Sequence, residues 1–157
     1  PFHPGAVAET TKQMNSNTTM YVGLIDVTRP IIVSKLKFWV GSVGTGGTIG
    51  IAIFSNDGQT RYCNETTSSI SSTGITEHSM SAAIYLAPGL YYIAFNPDGT
   101  TDLTLTTFAS PTAGAAAATG LNESSGTVTV TAGTIPTTFD PDAATYAANC
   151  CVEVRFN

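Results

Sequence analysis

At 157 residues the chain is long enough for one domain with a continuous core of its own. Charged residues make up only 11% of it, less than half of the roughly 25% usual in soluble proteins, and 26 Thr with 13 Ser must supply the solvation that charge normally gives. The net charge of −5 leaves six scattered basic residues and no basic stripe, and no apolar run approaches the roughly 20 residues of a spanning helix, so neither nucleic acid nor a membrane span is expected.

Residues 1–19 carry no clear alternation and read as an N-terminal arm or extension, with a single domain over 20–157. The first convincing strand is Met20–Val27, broken at Arg29-Pro30, where proline lacks an amide donor. Ile31–Val40 follows, with Ile32, Leu36, Phe38 and Val40 in one phase and Lys35, Lys37 and Trp39 in the other, one core face and one wet. Gly41–Gly47 is a glycine-rich loop. In Thr48–Phe54, Ile49, Ile51 and Ile53 point one way while Gly50 and Ala52 leave the other face flat. Ser55-Asn56-Asp57-Gly58 turns the chain, because Asp-Gly accepts the positive φ of a tight hairpin.

A short return is predicted at Thr60–Asn64, a longer strand at Glu77–Leu86, and further strands at Leu90–Phe95 and Asp102–Phe108, separated by Ser/Thr-rich or Pro-Gly and Pro-Asp-Gly breaks. The alternation fails over 109–122, an Ala- and Gly-rich loop, resumes at Thr127–Thr131 and lapses again through Ile135–Asp142. The last strand is Cys150–Phe156, in which Cys150, Val152, Val154 and Phe156 share the core phase. Eight or nine strands with no intervening helical pattern predict an all-β fold of two antiparallel sheets, a jelly-roll-like sandwich.

The cysteines are Cys63, Cys150 and Cys151; Cys63 could bridge either neighbour, or Cys150 could serve as a small core hydrophobe, and the spacing fits no zinc template. The sequence contains no nucleophile elbow, zinc-binding helix, phosphate loop or dinucleotide fingerprint. His3 and His78 read as surface histidines. Asp98, Asp102, Asp140 and Asp142 could converge on calcium, yet Asp beside Gly and Pro is an ordinary turn former, so neither metal nor cofactor is expected. Three Asn-x-Ser/Thr sequons, at Asn17, Asn64 and Asn122, are of a kind a hydroxyl-rich chain meets by chance. The candidate contact residues are aromatic: Trp39, outward by phase, and Tyr92, which follows Tyr91 and is the outward one of the two if Ile93 and Phe95 are core.

The segments IIVSKLKFWV (31–40), TIGIAIFSNDG (48–58) and IYLAPGLYYIAF (84–95), with Ile135–Pro141 before a final strand, resemble a β-sandwich module of bacteriophage tail and other virion proteins. The resemblance covers about Met20 to Asn157, and the chain departs from the pattern at Phe54-Ser55-Asn56 and in its vicinal Cys150-Cys151. It implies a non-enzymatic structural or receptor-contacting role at a virion surface, in a tail, fibre or capsid decoration. Copies of the chain, other virion proteins and a host-surface glycan are then the expected partners. The alternative expectation is a secreted carbohydrate-binding module stacking sugars on Trp39 and Tyr92; a hydrolase using Asp98, Asp102 and Asp140 is a third.

Overall fold

The computed structural model describes residues 9–14, 16–43, 47–67, 70–98, 103–108, 125–146 and 154–156. Eleven strands run through them in chain order: β1 Glu9–Met14, β2 Thr19–Val27, β3 Ile31–Ser42, β4 Ile49–Ser55, β5 Arg61–Thr66, β6 Gly74–Leu86, β7 Gly89–Pro97, β8 Leu103–Phe108, β9 Ser125–Thr129, β10 Thr145–Tyr146 and β11 Val154–Phe156. β1 pairs β8, β2 pairs β7, β3 pairs β6 and β4 pairs β5, all antiparallel. The first half of the chain is therefore laid against the second as one long folded ribbon. The ribbon closes into two sheets ordered β1-β8-β3-β6 and β2-β7-β4-β5, the two Greek keys of a jelly roll. β9 and β10 extend the second sheet beyond β2, and β11 joins the first beside β3.

Two departures from the sequence reading matter. Glu9–Met14 is not part of an arm but a strand in full register with β8; its short polar run carries no alternation, and the pairing with β8 is what identifies it as a strand. Ile32, expected in the core, is 66% exposed, while Val33 is buried. The register shifts between Val33 and Lys35, where one residue of β3 faces four of β6, and such a bulge reverses the alternation on its two sides. Leu36, Phe38 and Val40 then fall inward as expected.

Between the sheets the core is built from Val33, Leu36, Phe38 and Val40 of β3, Ile49, Ile51 and Ile53 of β4, and Tyr91, Ile93 and Phe95 of β7, with Phe38 edge-on to Phe95 at 5.8 Å. Each such side chain contributes about 1.5–3 kcal/mol when fully buried. A second apolar layer lies on the far side of the β2-β7-β4-β5 sheet, where Ile135, Phe139 and Ala144 cover Met20, Val22, Ala52, Phe54, Tyr92 and Ala94. The cover is the irregular loop from β9 to β10, which crosses the sheet and returns through a single 3-10 turn at Pro141–Ala143.

The flat face of β4 is the seat of this strap. A Cβ on Gly50 would come within 3.1 Å of the Ile135 side chain. At the far edge the Arg61 guanidinium donates to the carbonyls of Ile135 and Pro136 at 2.7 and 2.9 Å, and the Phe139 amide donates to Gly58.

Candidate functional site

With one outer face covered by the strap, four of the six large apolar side chains exposed among the described residues lie on the other, while Tyr62 and Leu90 belong to β5 and β7 of the strap-covered sheet. On β3 and β6, Trp39 (47% exposed) stands opposite Ile75 (64%), and Ile32 (66%) stands opposite Tyr85 (63%). All four lie on the face turned away from the core, because their neighbours Phe38, Val40, Val33 and Leu86 are the buried ones. The two pairs are seven positions apart on β3, about 20 Å along the strand.

Between them sits a charged centre. Glu77 accepts from Lys35 Nζ at 2.6 Å and pairs with Lys37 Nζ at 3.1 Å. The hydrogen bond from Lys35, and then that from Lys37, hold its carboxyl below the usual range. Exposed pairs of this kind add little stability; they fix the lysine side chains across the middle of the face.

Trp39 thus has the orientation expected of it. Tyr92 has the expected orientation without the exposure: its ring points away from the inter-sheet core, as its phase requires, but it is only 6% exposed. Phe139 lies edge-on to it at 5.3 Å and to Phe54 at 5.0 Å. The outward phase was legible in sequence; the strap folded over it was not, since nothing in the alternation of β7 announces a segment more than forty residues downstream. Ile75 and Tyr85 were missed for a simpler reason. Ile75 precedes the predicted start of its strand, and once β6 is extended to Gly74 it falls in phase with Glu77 and Ser79, a large apolar residue on a wet face.

His78 is no surface histidine. It stands opposite the core residue Leu36 and points inward, at the open side of the sandwich where β5 and β6 form neighbouring sheet edges. Its Nε2 lies 3.7 Å from Glu65 Oε2, with the two side chains 13% and 11% exposed, and it makes no hydrogen bond. Glu65 accepts from the amide and hydroxyl of Ser81 at 3.0 and 2.6 Å. The three residue types of a hydrolytic triad meet here in an unproductive order: the serine hydroxyl is given to the carboxylate, and Nε2 is not bonded to it. The contact joins the edges of the two sheets.

The acidic candidates serve the backbone. Asp98 accepts from the amide and hydroxyl of Thr48, and Asp140 caps the 3-10 turn by accepting from the Asp142 amide; Asp102 lies outside the described residues. Among the described residues no three His, Cys, Asp or Glu side chains converge, and no helix is long and apolar enough to cross a membrane. Cys63 is a half-buried thiol against the inter-sheet core, whereas Cys150, Cys151 and His3 are outside the described residues. No protein-family model matches the chain, and no curated protein matches it.

Proposed function

We propose that the chain is a non-enzymatic structural or surface module of a virion, a tail, fibre or capsid-decoration component that works by protein contact, with copies of itself and other virion proteins as partners. The observation that carries this reading is the outer face of β3 and β6, where four large apolar side chains stand in two cross-strand pairs. Isolated exposed apolar residues need no explanation, but a paired set on one open sheet face is the kind of patch that marks an interaction site. Two of the four are isoleucines, which bury well against protein and offer a sugar ring nothing to stack on. The jelly roll itself is common to capsid and lectin domains, and leaves the choice to the face.

The test is association. Replacing Trp39 or Ile75 with Glu is expected to abolish self-association in sedimentation and incorporation into the native particle, with the circular dichroism unchanged. A wild-type chain that is monomeric at micromolar concentration and absent from every particle fraction would overturn the reading. Host-glycan binding is the second reading, favoured by the exposed ring of Trp39. Trp39 and Tyr85 are about 20 Å apart along the strands, too far to hold adjoining sugars of one chain, so a glycan would rest on Trp39 with the polar groups around Lys37 and Glu77. Retention on a glycan array that Trp39→Ala abolishes would establish it.

A further inference from the structure

Where β5 and β6 lie side by side, the sandwich is closed by polar side chains that point inward. Glu65 is firmly placed there: its Oε1 accepts from the Ser81 amide at 3.0 Å and from the Ser81 hydroxyl at 2.6 Å, so a β5 side chain is tied to β6. Its Oε2 faces His78 Nε2 at 3.7 Å, about 1 Å beyond the 2.7–2.9 Å of a charge-assisted hydrogen bond. That Nε2 is buried and has no hydrogen-bond partner among the described residues.

A neutral imidazole gains nothing from this position. With its proton on Nδ1, the Nε2 lone pair faces a carboxylate oxygen; with the proton on Nε2, a buried donor stops short of its acceptor. Either tautomer leaves a buried polar atom unpaired, which costs stability. An imidazolium would direct both a charge and a donor at Glu65. Of the charged and titratable groups on the neighbouring elements, Glu65 is the one charge that faces it among the described residues. β3 places Leu36 opposite His78, and Lys35 and Lys37 are engaged with Glu77 on the other face of that sheet. On β5, burial pushes the Cys63 thiol up to about 11 and keeps it uncharged, while Arg61 is drawn to the strap.

We propose that His78 and Glu65 form a proton-operated latch: when His78 takes up a proton, Nε2 closes onto Glu65 Oε2 and ties the two sheet edges together, and loss of the proton loosens the seam. Burial of a cation opposes closure, but the Glu65 carboxylate is already desolvated with the histidine neutral, its side chain 11% exposed. Protonation therefore neutralises a charge that is already buried, and Ser81 satisfies the second carboxylate oxygen, the condition under which a buried pair is favourable. The pair exists only in the folded chain, so folding takes up protons as pH falls through the imidazole range, and stability rises with it. The latch concerns the edges of β5 and β6, not the outer face of β3 and β6, and stands independently of the assembly reading. Closed, it holds inward-pointing charge at two strand edges, an arrangement that blunts them against intruding strands.

Urea unfolding from about pH 8 to about pH 5.5 tests it, in the window where imidazole changes charge. The wild type is compared with His78→Gln, which keeps a polar side chain but takes up no proton, and with Glu65→Gln, which keeps an acceptor for Ser81 and removes the charge. His3 is present in all three, so its titration cancels. The wild-type midpoint is expected to gain on both variants as pH falls. A gap to His78→Gln that fails to widen, or that narrows, overturns the proposal, and so does a gain that survives in Glu65→Gln. Hydrogen exchange on the wild type decides the matter if a variant does not fold. Protection of the Ser81 amide, relative to the Ala52 and Ala94 amides of the other sheet, should rise about tenfold over the same range, the equilibrium equivalent of one charge-assisted hydrogen bond. An unchanged ratio overturns the latch.

Discussion

At Cys63, burial against the inter-sheet core pushes the thiol from the ordinary 9.0 up to about 11, the neighbouring Glu65 carboxylate adding to the effect and the Ile53 backbone and Arg61 opposing it. Because the folded value is the raised one, the contribution to stability is complete below about pH 9. It declines as pH climbs toward 11, since the unfolded chain ionises first. Urea midpoints measured across that window should therefore fall in the wild type and fall less in Cys63→Ala, and Ellman's reagent at pH 8 should react slowly until the chain unfolds. Gly58 is constrained in another way. Its φ is +69°, and a Cβ there would sit 2.2 Å from the Phe139 carbonyl oxygen, so its own conformation and the strap both demand glycine.

The strap is the element whose contribution can be isolated. Phe139 joins it to Phe54 and Tyr92, and Phe139→Ala should cost about 3–5 kcal/mol, the usual range for a buried phenylalanine. Gly58→Ala should cost at least about 1–3 kcal/mol through backbone strain. Both variants should also bind a fluorescent apolar dye more strongly than the wild type, because each loosens the cover over the Met20–Val22–Ala52–Ala94 face. A loss of stability without added dye binding would mean the strap stays closed and that the damage is confined to the turn at Gly58. The same segment explains why the predicted Thr48–Phe54 strand carries Gly50 and Ala52 on its second face: the flat surface is a packing seat for Ile135.

Across the whole molecule, the last described strand fixes how the ends of the ribbon are secured. Val154, Arg155 and Phe156 stand opposite Phe38, Lys37 and Leu36 of β3. Removing residues 154–157 would leave backbone groups of a central strand without partners. At about 1 kcal/mol per lost hydrogen bond and about 2–4 °C per kcal/mol for a chain this size, the melting temperature should drop by roughly 5–10 °C, with aggregation; an unchanged melting temperature would mean that β11 does not dock. How the sheets would be populated was readable in advance, because alternation in Ile31–Val40, Thr48–Phe54 and Leu90–Phe95 has period two, and turn residues mark where it stops. Composition and the absence of helical pattern carried the jelly-roll sandwich the same way. Everything that required a partner distant in sequence stayed hidden: β1, identified as a strand by its pairing with β8; Ile32, outward only because β6 bulges against β3; Tyr92, outward by phase and buried by the strap. Local patterning is set by each residue's own geometry and its immediate neighbours, whereas exposure is set by whatever the fold brings on top, and that is decided in three dimensions.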